Sequence, residues 1–359
     1  MTLSPSISLF GPGVGESLCI NLGNGDWVIV DSCMNPETKR PAALEFLEDK
    51  GVDSAAVKLI VVTHWHDDHI RGISETLRAC ESARLVIPAA MNKPEYTKLT
   101  YAYGSMASSS DAMNTGVSEM AKVFSLLRPR LKLVKNGAPI PDPISFATDG
   151  QLLYRNGSIE ITSLSPSGPA LLAALDEFRS ETDKGKRNGR VIPRPQSNMC
   201  AVALHISFGD VAALLGSDLE TSPNHNIGWS AVIRSSVRPQ QKASVVKIPH
   251  HGSETGHHDK FWSDLVEPEP TGILTTYSRQ NLPRESDIAR MKGHSGELYC
   301  TTLPKSIGLP KRDKVVESLI KRTVRKRSPV YSPKLGRITA KLRPGPEWEL
   351  ILNEQARKL

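Results

Sequence analysis

The sequence predicts a layered α/β protein. Short apolar runs bounded by turn residues recur along most of the chain, and amphipathic helical patterns lie between them. Two Asn-Gly turns, in "LCINLGNGDWVIVDS" and "LLYRNGSIEITSL", are flanked by alternating apolar residues and mark hairpins.

Taken in order, the first hairpin precedes the helical pattern "RPAALEFLEDKG", which ends on Gly51, a residue suited to a left-handed C-terminal position. The runs "LIVVTH" and "ARLVIP" read as buried strands. "VSEMAKVFSLLRPR" places Val117, Met120, Ala121 and Phe124 on one helical face and is expected to stop near Pro129. After the second hairpin, "GPALLAALDEFRSE" is another helix. Residues 181–196, "ETDKGKRNGRVIPRPQ", are polar, basic and punctuated by Gly and Pro, which predicts a loop. Strands then follow at "AVALHISF", "VAALLGSD", "SVVKIPHH" and "GILTTY", and "RITAKLRPGPEWELILNE" alternates like a closing hairpin. No internal repeat is evident.

The 359 residues allow one large domain or two ordinary ones. No apolar run approaches the roughly 18 residues that span a bilayer, and "MTLSPSISLF" lacks the pattern of a secretory leader. The five cysteines are scattered, with no CxxC pair, which fits reduced thiols in a cytoplasm. These features lead to the expectation of a cytoplasmic protein with no membrane partner. Charge is unevenly spread: from Lys305 onward 15 Lys/Arg face 5 Asp/Glu, so the end carries +10 and the rest −3. Such a basic segment is either a solvated extension or a contact for phosphate backbones.

The densest chemistry lies in "LIVVTHWHDDHIRG", with three histidines and two aspartates in six positions. "LIVV" is a buried strand and "THWHDDH" the turn leaving its end. His64 and His66 alternate and can face one side, while Asp68 and His69 serve a neighbouring point. Imidazole and carboxylate together suit zinc, manganese or iron. Two ligand pairs from one loop suggest two metals, about 3.5–4 Å apart in bimetallic hydrolases.

"THWHDDH" resembles the HxHxDH signature of the metallo-β-lactamase superfamily, with His64, His66, Asp68 and His69 in its four places. Further pieces follow in the family's order. "WVIVDS" offers Asp31 as the aspartate that braces the metal loop, and "VAALLGSDLE" offers Asp218 as the bridging ligand. "VVKIPHHGS" offers His250 or His251 as the last histidine. The family's ligand directly before glycine favours His251, but spacing leaves the pair open. One member is missing, because no histidine lies between His69 and His205. His205 sits within a strand pattern and reads as a satisfied residue rather than a ligand. Asn198 stands twenty residues before Asp218, either near the site or as a turn residue. That departure resembles the ComEC-like branch, the hydrolase domain of bacterial DNA-uptake proteins. The opening "LFGPGVGESLCINLGNGDWVIVDS" is similar to that branch's "VGQGD" start, with Gly13, Gly15 and Glu16 at matching places.

The resemblance covers roughly residues 7 to 303. It implies an αββα sandwich of two mixed sheets flanked by helices over residues 1–303, followed by a basic extension, 304–359, that ends in a hairpin. It also implies two divalent ions, Zn²⁺ or Mn²⁺, which lower the pKa of a bridging water and bind the oxygens of the attacked group. Asp68, Asp218, Asn198 and Lys247 are the catalytic candidates, with Lys247 directed at a phosphate or at solvent. Asp67 faces solvent or supports the ligands, and His257 or His258 border the pocket as a proton donor or form an ordinary exposed pair. The basic residues Lys184, Lys186, Arg187, Arg190 and Arg194 run directly into Asn198 and place positive charge beside the site. With the branch resemblance and the basic end, they favour a phosphodiesterase or nuclease whose partner is nucleic acid. The alternatives are a small-molecule hydrolase for an ester, lactone or cyclic nucleotide, and a metal-binding effector subunit within a multi-subunit defence complex.

Overall fold

Alternation along the strands divides the apolar residues into an inner and an outer face, and the architecture follows from that division. The computed structural model describes residues 4–92, 96, 116–137, 141–188, 198–307, 313–323 and 334–359. In chain order the strands begin β1 (Ser6–Gly11), β2 (Ser17–Asn21), β3 (Trp27–Val30), β4 (Val57–Val61), β5 (Arg84–Pro88) and β6 (Ile144–Ala147). They continue as β7 (Gln151–Asn156), β8 (Ile159–Ser163), β9 (Leu204–Phe208), β10 (Val211–Leu215) and β11 (Ala243–Lys247). The last are β12 (Val266–Leu274), β13 (Glu297–Cys300), β14 (Gly336–Leu342), β15 (Trp348–Leu352) and β16 (Arg357–Lys358).

Two eight-stranded sheets result, ordered β15-β14-β1-β2-β3-β4-β5-β6 and β16-β13-β12-β11-β10-β9-β8-β7. Each mixes antiparallel strands with a parallel run, β3 to β6 in the first sheet and β10 to β13 in the second. Val28, Val30, Leu59 and Val61 of the first sheet meet Leu204, Ile206, Ala213, Leu215 and Val245 of the second in a shared core. The alternate residues Trp27, Ile29, Val57 and Ile60 face outward under the helices Ala42–Asp49 and Ile73–Ala79. On the far side, Ala212, Leu214 and Val246 pack under the helices Gly228–Arg234, Asp259–Asp264 and Glu285–Lys292. The fold is therefore an αββα sandwich of two mixed sheets flanked by helices, as expected. No helix among the described residues is long and apolar enough to cross a membrane.

Both Asn-Gly turns join antiparallel strands, β2 to β3 and β7 to β8. The first helix ends at Asp49, and Gly51 (φ +65°) donates its N–H to the Glu48 carbonyl, as its sequence implied. Two expectations fail. Pro129 lies inside the helix Gly116–Lys135 instead of ending it. Met120, Val123 and Leu127 are buried before it, and Arg130 beyond it reaches the Ala83 carbonyl (3.3 Å), so packing on both sides carries the helix through. Residues 181–188 continue the helix Gly168–Asn188 instead of starting a loop. No proline interrupts that stretch before Pro193, and basic residues near a helix C-terminus suit its dipole.

The closing hairpin is present, and β14 pairs with β1 in register from Ser6↔Lys341 to Gly11↔Gly336. β16 then pairs with β13 in the other sheet, so the last residues extend both sheets of the sandwich.

Candidate metal centre

The parallel strands of both sheets deliver their C-terminal ends to one edge, where loops can converge, as open α/β sheets commonly place ligands. From the first sheet, β4 runs into Thr63 and His64. Trp65 turns the other way and is buried against Tyr96 and Phe178 (ring centroids 6.0 and 4.9 Å). That anchor leaves His64 and His66 together on the opposite side, with ring centroids 4.7 Å apart. Asp31, at the end of β3 and with φ +58°, lies fully buried beneath the loop. It accepts from the Thr63 N–H (2.7 Å), the Thr63 hydroxyl (2.7 Å) and the His69 Nδ1–H (2.8 Å). The Thr63 hydroxyl, having donated to Asp31, accepts from His64 Nδ1–H (2.9 Å). One carboxylate thus fixes both imidazoles, each with Nε2 directed away from its brace.

The second sheet repeats the device. His251 Nδ1 donates to Thr275 Oγ1 (2.8 Å), and Thr275 Oγ1 donates to Glu16 Oε2 (2.6 Å). All three groups are buried. The Glu16 N–H donates to the Asp68 carbonyl (2.9 Å), which ties the turn after β1 to the metal loop. Gly15 permits this approach, because its φ is +109° and an added Cβ would meet Cys33 Cβ at 3.0 Å. Lys247, at the end of β11 and fully buried, pairs with Glu16 Oε1 (2.6 Å) and stands 3.6 Å from Asp218 Oδ1. Its ammonium also donates to the Ser217 carbonyl (2.8 Å). Lys247 thus points neither at a phosphate nor at solvent, contrary to expectation; it holds Glu16 and Asp218 in place from beneath.

Four donors converge above these braces. His69 Nε2 lies 3.2 Å from Asp218 Oδ2 and 3.6 Å from Asp68 Oδ2, and His251 Nε2 lies 3.4 and 3.7 Å from the same two oxygens. Ligands about 2.1 Å from a tetrahedral ion stand about 3.4 Å apart, so the spacing fits one shared cation. The Nε2 atoms of His64, His69 and His251 are buried without a hydrogen-bond partner. Unpartnered buried acceptors cost stability, and those of His69 and His251, which face the same two carboxylates, are explained by a ligand. Burial disfavours charge on His251, but Asp218 and Asp68 outweigh it and raise its pKa to about 9. Burial likewise opposes charge on His69, yet Asp218, Asp68 and Asp31 hold it well above the usual histidine range. Asp218 sits well below the usual carboxylate range because His251 and His69 overcome its desolvation. The carboxylates thus favour a positive charge at this point, which a cation can supply in exchange for protons.

A second grouping of Asp31, His64 and His69 is equally close. Both Asp31 oxygens are already engaged by Thr63 and His69, so it serves as the brace rather than as an open ligand set. Among the described residues, Asp68, His69, Asp218 and His251 are therefore the four donors placed to share one ion, with His64 and His66 beside them.

His250 departs from the predicted ligands. Its Nδ1 meets Glu220 Oε1 and Thr255 Oγ1 (each 2.9 Å), and its Nε2 lies 3.4 Å from Asn198 Nδ2. Adjacent left-handed conformations, φ +46° at His250 and +53° at His251, turn the two rings to different partners. Asn198 is buried beside the site with Oδ1 unpartnered, and lines a cleft of about 540 Å³ with His66, Asp68, Asp218 and His251. Asp67 lines the same cleft. His205 Nε2–H donates to the Gln241 carbonyl (2.9 Å), within its strand and away from the cluster. His257 pairs with Asp259 (3.0 Å), and the His258 ring accepts from the Lys260 N–H at a helix start; neither lines the cleft. Lys184, Lys186 and Arg187 fall on the last turn of the helix Gly168–Asn188, while Arg190 and Arg194 lie outside the described residues.

Sequence reasoning missed Thr63, Thr275, Glu220, Tyr277 and Arg279. Tyr277 stacks on His251 (5.2 Å, 18°), and Arg279 and Arg284 stand on the cleft wall. No local motif marks Thr275 or Tyr277; their position just after a β strand that ends at the ligand edge was the available signal.

Residues 11–149 match the model of the Metallo-beta-lactamase superfamily. No curated protein matches the chain. Among solved structures, the metallo-beta-lactamase fold protein YhfI from Bacillus subtilis is 13% identical with a TM-score of 0.40, over 82% of this chain and 95% of that one. A motif mutant of a metallo-beta-lactamase from Cronobacter sakazakii is 12% identical with a TM-score of 0.32, over 67% and 75%. MEM-A1, a subclass B3 metallo-beta-lactamase from a soil metagenome library, is 12% identical with a TM-score of 0.34, over 70% and 80%. The matched segment contains Asp31 and the whole His64–His69 loop.

Proposed function

We propose that this chain is a metal-dependent phosphodiesterase that cleaves nucleic acid. Hydrolysis with a divalent metal is the chemistry that the fold and the donor set suggest. The observation that supports a phosphodiester is the cleft wall, where Arg279 and Arg284 face the same space as Asp68, Asp218 and His251. Guanidinium groups suit phosphate oxygens in charge and geometry. An ion held by Asp68, His69, Asp218 and His251 supplies Lewis acidity and an activated water.

The chain's own residues do the rest. Lys247 fixes Asp218 from below, so that Oδ2 stays between His69 and His251. Tyr277 stacks on His251 and holds its plane, while Thr275 fixes its tautomer. Arg279 and Arg284 draw the phosphate into the cleft, and the free Oδ1 of Asn198 accepts from a substrate or water donor. Zinc and manganese both fit two imidazoles with two carboxylates.

The test is hydrolysis of bis(p-nitrophenyl) phosphate, p-nitrophenyl acetate and a labelled oligonucleotide by protein loaded with Zn²⁺, Mn²⁺ or Mg²⁺. The proposal expects cleavage of both phosphodiesters. Cleavage of the ester alone would transfer the chain to the small-molecule hydrolases.

A further inference from the structure

We infer that a second groove beside the metal centre binds the flanking phosphates of a single nucleic-acid strand, so that recognition extends beyond the cleaved bond. The inference rests on the phosphodiesterase reading. A groove of about 950 Å³ adjoins the metal cleft, and both are lined by Asp67, Asp68 and Arg279. The two form one continuous path, larger than the roughly 300–1,000 Å³ of an ordinary small-ligand pocket. Arg279 lines both, and the wider groove also carries Arg71, Arg78 and Lys39.

The charges along that path favour an anion. Arg71 and Arg78 are exposed and make no ion pair within 4.0 Å among the described residues. Glu119, on the same groove, is already engaged by the Ser74 N–H (3.1 Å), the Ser74 hydroxyl (2.5 Å) and Lys122 (3.0 Å). Asp68 belongs to the metal cluster. The groove therefore sets Lys39, Arg71, Arg78 and Arg279 against Asp67 and Glu75.

Burial selects a strand over a duplex. His251 is 1% exposed and Asp218 3%, both lining the cleft, and His69 beneath them is 0% exposed. A stiff duplex cannot bring its backbone to that depth, whereas a single strand can splay its phosphates into a narrow channel. The basic residues then act on the next phosphates along the chain.

The experiment is fluorescence anisotropy with labelled phosphorothioate oligothymidylates of increasing length, on metal-loaded protein, against Arg71→Glu/Arg78→Glu and the milder Arg71→Gln/Arg78→Gln. Thermal melting first confirms that each variant is folded. Affinity should rise with length for the parent and fall at least tenfold for the Glu pair on the longest strand. The log–log salt slope should flatten by about 1.4, from two contacts at roughly 0.7 each. Unchanged affinity and slope in both folded variants would overturn the groove. So would a parent that hydrolyses bis(p-nitrophenyl) phosphate but binds every length equally, an outcome that leaves the phosphodiesterase reading intact. Length-dependent, arginine-sensitive binding by a parent that cleaves no phosphodiester would support the groove and sink the activity instead.

Discussion

Replacing Thr275 by valine keeps the shape of the side chain and deletes the one oxygen that joins His251 to Glu16. Two hydrogen bonds go, at 2.8 and 2.6 Å, in a place where all three residues are buried. Neither His251 Nδ1 nor Glu16 Oε2 can turn to water, although Glu16 keeps Lys247 at 2.6 Å through its other oxygen. Each unsatisfied buried group costs about 1–3 kcal/mol, so with two groups stranded the variant should be less stable by about 2–6 kcal/mol. The larger interest is the ring. Without the Thr275 acceptor, nothing fixes the proton on Nδ1, and Nε2 loses its preference for the lone-pair form that a cation needs. Loss of such a support typically costs 10- to 100-fold in metal affinity. Metal titration by calorimetry against a competing chelator measures this, with thermal melting of the metal-free protein alongside. Thr275→Ser should restore most of the affinity. A valine variant that melts earlier yet binds metal as tightly as the parent would refute the orienting role and leave Thr275 a packing residue.

Three further outcomes follow from the same geometry. His251→Ala should abolish tight metal binding while His250→Ala retains it, by metal analysis after desalting, because only His251 faces Asp68 and Asp218. Lys247→Met should destabilise the fold by about 3–5 kcal/mol in chemical denaturation by stranding the buried Glu16, and adding Glu16→Gln should recover part of that loss. Burial lowers the pKa of His205 despite its bond to the Gln241 carbonyl, so the unfolded chain takes up a proton before the native one does. Stability supported by neutral His205 is therefore full above the ordinary pKa near 6.5 and declines as pH falls from there toward the lower native value. His205→Gln should flatten that part of a stability profile measured by denaturant at several pH values.

The ligand loop and the sandwich were legible because each leaves a local trace. Six residues hold the dense His/Asp set, and strand alternation sorts Val28 and Val30 from Trp27 and Ile29 without any tertiary information. Gly51 announced the first helix end in the same way. What was not legible depends on contacts between distant segments. Glu16 and Thr275 are 259 residues apart, and only the meeting of the two sheets makes them one support for His251. Lys247 illustrates the same limit: strand periodicity cannot say that its ammonium meets a carboxylate from the other sheet. Pro129 was misread because a proline's local cost was weighed without the buried Met120, Val123 and Leu127 that offset it. The choice between His250 and His251 turned on two positive φ values that spacing does not encode.

The central claim is that Asp68, His69, Asp218 and His251 hold one divalent cation. Anomalous diffraction at the zinc edge, from crystals of the protein soaked in Zn²⁺, tests it most directly. A peak is expected about 2.0–2.2 Å from His69 Nε2, His251 Nε2 and the Asp68 and Asp218 oxygens, with any second, weaker peak beside His64 and His66. The absence of a peak at those four donors in the saturated crystal, or a peak coordinated by His250 in place of His251, would contradict the account.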